Sequence, residues 1–317
     1  MADLKIAIDG ASGFVGANLV RYFENKYRVF ALSRNKDGWR LAGSSAEFVE
    51  FDVTNRQMVR EKLSEIKPDV FVHCAVFGGY HFETDPQKII DTNVTGTLNT
   101  LDACRDVSLF INTGSSSEYG IRSTPMKETD ELAPNTSYAM TKALIASLLA
   151  SRRGVAPKSV TLRLFSAYGY YEEKHRLVPY VLYSLLTGQK AVLSNRTNVR
   201  DFIFVDDIGK AYELAIQKHE ALQSGDVFNV GSGKQSTIED VVKVTGTDVD
   251  WQPSARQEEA KRMWQADISK IGKVLGWKPE HSLKDGLDKT KEWMRDNLRF
   301  YEDVKNDKLT RFKQNSA

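Results

Sequence analysis

The short apolar run Leu4-Lys-Ile-Ala-Ile8 gives way at once to Gly10-Ala-Ser-Gly13-Phe-Val-Gly16, and Asn18-Leu-Val-Arg-Tyr-Phe23 follows with the spacing of a helix. A buried strand, a glycine turn and a helix in that order commit a chain to parallel βαβ topology. Glycines let the backbone turn tightly and approach a pyrophosphate, whose charge rests against the unpaired N–H groups at a helix N-terminus. Ala11 and Ser12 separate the first two glycines, so the motif gains its weight from its place at the first strand–helix junction. It predicts a dinucleotide site at Gly10, Ser12, Gly13, Phe14 and Val15.

The remaining composition narrows the ligand. With 317 residues, 41% hydrophobic and 27% charged, the chain can bury a sizeable core. A net charge of +2 offers no basic field for nucleic acid, so small molecules are the expected partners. The first residues run straight into a strand without a charged-then-apolar leader, and no apolar run is long enough to cross a bilayer. A cytoplasmic protein without membrane attachment is expected. Cys74 and Cys104 lack a metal-ligand spacing and read as reduced and structural, and no metal is expected.

Four further strand-like runs follow. Arg28-Val-Phe-Ala-Leu32 ends in Ser33-Arg34, where an acid would ordinarily accept hydrogen bonds from the adenosine ribose. No acid stands there, and the Arg34 guanidinium suits a 2′-phosphate, which favours NADP(H) over NAD(H); a solvated surface arginine is the alternative. Glu47 to Val53 reads as the third strand, with Asp52 and Val53 beside the adenine or Asp52 capping the next helix. Asp69 to Val76 is the fourth, its end Cys74-Ala75-Val76 letting a cofactor lie close and His73 packed in the core. Gly96 interrupts a helix over Ile89 to Leu101 and predicts close packing there. Leu109 to Asn112 leads into the hydroxyl-rich loop Thr113 to Gly120. Tyr138 and Lys142 then lie one turn apart on a helix capped from Pro134-Asn-Thr-Ser137, so the ammonium can favour a phenolate.

The glycine turn, Asn93-Val-Thr-Gly96, the Ser115 loop and Tyr138-x-x-x-Lys142 together resemble the extended short-chain dehydrogenase/reductase family of NAD(P)-dependent nucleotide-sugar epimerases and dehydratases. Leu162 to Gly169, Arg176 to Pro179, Arg200 to Asp207, Phe228 to Gly231, Ala266 to Lys270 and Leu275 to Trp277 resemble its later blocks, so the likeness covers nearly the whole chain. It implies an α/β fold: a Rossmann-type doubly wound parallel sheet with a smaller C-terminal domain. Residues 1–166, joined by part of 200–230, would hold the cofactor, Asn93 included; residues 167–317 would hold a nucleotide-diphosphate sugar. The resemblance also implies a homodimer through the helices Ile89–Leu101 and Tyr138–Ala150.

By the same resemblance Tyr138 exchanges a proton with a sugar oxygen, Ser115 hydrogen-bonds that oxygen, and Lys142 binds the nicotinamide ribose and lowers the tyrosine pKa. Ser116, Ser117, Ser166, Arg200 and Arg262 fall on the substrate side; Arg200 would grip the diphosphate. Family dehydratases carry an acidic pair where this chain has Ser116 and Ser117, which argues against a 4,6-dehydratase. His175, on a charged loop, reads as solvated. Two outcomes remain, a C4 ketoreductase using NADPH on a 4-keto-6-deoxy sugar linked to CDP, dTDP or GDP, and an NAD-dependent C4 epimerase. Arg34 favours the first. A non-catalytic dinucleotide-binding scaffold is the third reading, opposed by the complete Ser115, Tyr138, Lys142 set.

Gly231-Ser-Gly-Lys234 has neither the glycine spacing nor the hydroxyl residue of a phosphate loop. Ser236 and Glu239 read instead as a capping box, Leu283 through Trp293 as an amphipathic helix, and Asp303 to Ala317 as a frayed polar tail.

Overall fold

The structure, a computed structural model, describes residues 4–35, 38–253 and 263–303. Seven parallel strands form the central sheet: β1 (Lys5–Ile8), β2 (Arg28–Ser33), β3 (Glu47–Glu50), β4 (Val70–His73), β5 (Leu109–Ser115), β6 (Ser159–Leu164) and β7 (Asp226–Val230). Their order is β7-β6-β5-β4-β1-β2-β3. The chain therefore reverses direction across the sheet between β1 and β4, with Ile6 paired to Val29 on one side and Val70 on the other. In such sheets the crevice at the carboxyl ends of the two strands flanking the reversal receives the ligand.

Alternation along β1 divides the core. Ile6 and Ile8 face Leu19, Val20 and Phe23 of the helix Phe14–Phe23 and Ile208 and Ala211 of the helix Val205–Gln217. Ala7 faces the opposite layer, where Val59 and Leu63 of the helix Arg56–Ile66 pack with Phe71, Phe110, Ile145 and Leu149. Every residue of β4 and β6 is buried, the pattern of strands covered on both faces.

The stretch expected as one helix around Gly96 runs from Pro86 to Ala103 but passes through a π-helical turn, Asp91–Thr95. A Cβ on Gly96 would lie 2.7 Å from Val53 Cγ2, so the interior glycine admits the residue that ends the crossing from β3. β3 stops at Glu50, short of the expected end. Asp52 accepts from the Thr54 N–H and hydroxyl at 2.9 and 2.8 Å, and Asn55, not Asp52, caps the next helix by accepting from the Met58 N–H.

The C-terminal part packs the helices Leu177–Leu186, Ile238–Thr245 and Leu283–Asp296 around Tyr168 and Phe204, which belong to a small parallel pair, Ser166–Tyr168 with Phe202–Phe204. Arg200 ends the two-residue strand Val199–Arg200, which pairs antiparallel with Ser236–Thr237. The capping box lies one residue later than the sequence suggests, between Thr237 and Asp240, because the helix begins at Ile238 and so makes Thr237 its N-cap. Of the expected frayed tail, residues 304–317 lie outside the described residues. No helix among the described residues is long and apolar enough to cross a membrane.

Candidate active site

The glycine turn is built against β4. Gly10 has φ +60°, and a Cβ there would sit 2.6 Å from the Ala75 nitrogen. Gly16 would collide with the Gly10 carbonyl, so the helix packs directly on the turn. That helix starts at Phe14 after Gly13, with neither a side-chain cap nor an acidic residue in its first turn, which leaves its leading N–H groups for an anion. Asp9, the residue that follows β1, is fully buried and organises the crevice. Its Oδ1 accepts from the Cys74 and Ala75 N–H groups at 2.6 and 2.8 Å, and its Oδ2 lies 2.6 Å from His73 Nδ1. His73 Nε2 meets Thr97 Oγ1 at 2.7 Å, which makes His73 the core residue expected.

Around this cradle the residues proposed for the cofactor divide. Ser33 donates its hydroxyl to Ser12 Oγ at 2.7 Å, binding the end of β2 to the glycine turn, while Arg34 beside it is exposed. Val76 is 39% exposed, whereas Val53 is buried against the glycine of the neighbouring helix. Burial pushes the Cys74 thiol up to about 12, so it fills space and is no nucleophile. Asn93, expected to touch the cofactor, has its amide fully committed: it donates to the Phe77 carbonyl and to Thr141 Oγ1, both at 2.9 Å, and accepts from the Phe77 N–H. It therefore ties the loop after β4 to the helix Ser137–Ser151. Arg40, unremarked in the sequence, donates to the Ser12 and Tyr171 carbonyls and forms a buried ion pair with Glu173 at 2.9 Å.

Ser115, Tyr138 and Lys142 come together. Ser115 closes β5, and Thr136, within the expected capping segment, caps the helix carrying the other two by accepting from the Ala139 N–H. The Ser115 hydroxyl stands beside the Tyr138 phenol and acts to hold its pKa down. Lys142 is buried and donates from Nζ to the Thr113 carbonyl at 2.7 Å. Burial pushes the Tyr138 phenol up, only partly offset by the neighbouring Ser115 hydroxyl, which differs from the expected depression; burial likewise lowers the Lys142 pKa. One N–H of the ammonium goes to a backbone carbonyl, and desolvation sets the direction for both groups.

On the substrate side, the Ser116 hydroxyl accepts from Trp264 Nε1 at 3.2 Å and both residues are buried, so Ser116 anchors a tryptophan where a substrate contact was expected. Ser117 remains half-buried. The Arg200 guanidinium lies over the Trp264 ring, 5.0 Å from its centre, and Ser166 is half-buried on the strand that pairs with Phe202–Phe204. Arg262 lies outside the described residues. His175 is not solvated: it packs edge-on against the rings of Tyr80 and Phe82, at 5.4 and 5.8 Å. Charge along its segment suggested exposure, but the apolar partners come from residues far away in sequence.

Comparison with known proteins agrees with this geometry. The model of the NAD dependent epimerase/dehydratase family matches residues 6–231. A UDP-glucose 4-epimerase of Lactobacillus helveticus is 29% identical, over 95% of this chain and 100% of its own. A dTDP-glucose 4,6-dehydratase of Escherichia coli is 24% identical, over 95% and 96%. The solved UDP-glucose 4-epimerase of Thermotoga maritima, with UDP-glucose, superposes with a TM-score of 0.82 at 25% identity and covers 93% of this chain and 100% of its own. The chain thus belongs to the NAD dependent epimerase/dehydratase family, and is an enzyme of the extended short-chain dehydrogenase/reductase type.

Proposed function

We propose that the protein transfers a hydride and a proton at C4 of a nucleotide-diphosphate sugar, in the direction of ketone reduction with NADPH. One observation carries the choice of chemistry: the Ser115 hydroxyl stands beside the Tyr138 phenol, and no acid or base occupies 116 or 117, where elimination of water would need one. Tyr138 gives its proton to the sugar oxygen as the hydride arrives at the carbon, and Ser115 orients that oxygen. The Gly10 turn, the uncapped helix start at Phe14 and the close approach of Ala75 fit a dinucleotide pyrophosphate. The cofactor, when bound, supplies the hydride. Residues 1–166 with the returning strand β7 would form the cofactor side, and 167–317, through Ser166 at the boundary and Arg200, would hold the nucleotide sugar.

Arg34 supports the choice of NADPH, since the described end of β2 offers an exposed guanidinium and no carboxylate. The expected result is NADPH oxidation with a CDP-, dTDP- or GDP-4-keto-6-deoxyhexose. Arg34→Ala should reduce affinity for NADPH relative to NADH by roughly 10- to 100-fold, the worth of one charge-assisted phosphate contact. A second reading, C4 epimerisation on a retained NAD, is favoured by the 4-epimerases among the relatives. NAD released on denaturing the purified protein, with no net NADPH oxidation, would select it.

A homodimer is part of the same proposal. Ile90, Leu98, Met140 and Leu144 are each 41% to 54% exposed on the helices Pro86–Ile90, Gly96–Ala103 and Ser137–Ser151, a set of large apolar side chains that a second copy would cover. Sedimentation at micromolar concentration should give twice the 35.7 kDa chain mass, and a single-chain mass rejects the dimer.

A further inference from the structure

We propose that Glu118 is a positioning residue of this active site: its carboxylate, clamped between the Ser115 N–H and Arg163, directs the Ser115 hydroxyl and balances the buried Lys142 ammonium. The inference rests on the proposed role of Tyr138 only for its consequence in turnover. Glu118 reads in the sequence as the end of a serine loop, yet it is fully buried. Its Oε1 accepts from the Ser115 N–H at 2.7 Å and its Oε2 from Arg163 Nε on β6 at 2.8 Å. Gly114 makes the space, since a Cβ there would lie 2.8 Å from Oε1.

The consequence for Ser115 is one of hydrogen-bond polarity. Its N–H goes to Glu118, and its Oγ accepts the Ser117 N–H at 3.2 Å, closing a reciprocal capping box. With one of its two lone pairs so occupied and the side chain held in the box, the hydroxyl keeps its proton to donate toward Tyr138 or a substrate oxygen. A serine on an ordinary loop would rotate freely between donating and accepting.

The charge acts on the other two residues. Burial raises the Tyr138 pKa first, the Ser115 hydroxyl lowers it, Glu118 and Glu83 raise it, and Arg176 lowers it. Burial lowers that of Lys142, while Glu118, Cys74 and Asp9 raise it. Glu118 is the charged group common to both sets and the leading Coulombic influence in each, so it keeps the lysine charged and the phenol protonated.

Glu118→Gln preserves the shape and an acceptor for the Ser115 N–H but removes the charge. The test follows the Tyr138 ring by NMR of protein carrying 13Cζ-labelled tyrosine, assigned with Tyr138→Phe, from pH 6 to 11. In Glu118→Gln the phenol should titrate at lower pH than in the wild type, by about one pH unit or more, the effect of removing a nearby like charge. The alkaline limb of the reduction profile should move the same way. Because this substitution leaves Arg163 unpaired in the interior, the double variant Glu118→Gln/Arg163→Gln is measured beside it and should show the same displacement without the stability loss. A Tyr138 titration that superimposes on the wild type in these variants overturns the inference, including one in which the phenol stays protonated throughout. The NMR readout needs no substrate, so it separates from the functional reading, which fails instead if Tyr138→Phe retains turnover.

Discussion

Replacing Tyr138 by Phe is expected to lower turnover by about 10²- to 10⁴-fold, the usual contribution of a general acid, while the protein still folds and binds its dinucleotide. The substitution removes one oxygen from a half-buried ring on the helix Ser137–Ser151 and leaves the glycine turn, Lys142 and its bond to the Thr113 carbonyl intact. Ser115 loses a polar neighbour but keeps its capping box. The loss should therefore fall on kcat, with KM and cofactor affinity nearly unchanged. Steady-state kinetics and a fluorescence titration of NADPH on the same preparation check both halves. Wild-type kcat would remove Tyr138 from the mechanism; lost cofactor binding would mean that the phenol supports the site's structure instead. The upward pressure of burial on the phenol suits this direction of catalysis, because a reductase needs its tyrosine protonated when the hydride arrives.

What could be read from the sequence was whatever depends on neighbours along the chain. The glycine turn declared itself because Gly10 and Gly16 answer a local steric demand, and Tyr138 and Lys142 because one helical turn aligns them. Ser115 could be placed only through the order of several motifs. Groups whose partners lie far away stayed silent: Glu118 meets Arg163 across 45 positions, Ser116 meets Trp264 across 148, and Asp9 meets the end of β4 across 65. Charge misled for the same reason. Glu172, Glu173 and His175 sit in a segment that resembles a solvated loop, yet tertiary packing covers both carboxylates and sets the imidazole against two aromatic rings. The shift of the capping box from Ser236 to Thr237 is a smaller case, a one-residue difference in where the helix begins.

That buried acidic segment leads to an expected pH dependence of stability. Burial pushes the Glu172 carboxyl up from 4.5 to about 8, against the lowering effects of Arg176, Arg40 and the Gly169 backbone and with a further rise from Glu173. Arg40 is already paired with Glu173, and Glu172 Oε2 has no hydrogen-bond partner among the described residues, so little stabilises the ionised form. Below about pH 4.5 the folded and unfolded chains both hold this proton and the stabilisation is fully present. As the pH rises, the unfolded chain releases it first, and stability falls until the folded group ionises near pH 8. The gap between those values bounds the loss at roughly 5 kcal/mol. Glu172→Gln cannot ionise, so urea unfolding should show wild type and variant converging near pH 5 and the variant more stable by about 3 to 5 kcal/mol at pH 8 to 9. Curves that stay parallel across that range would show that Glu172 is solvated in the folded protein. The segment also reaches the cofactor cradle: Tyr170 accepts from Asn18, and Tyr171 accepts from the same Arg40 that holds Ser12. Ionising Glu172 in the wild type should therefore weaken dinucleotide binding between pH 7 and 9, and Glu172→Gln should hold that affinity constant.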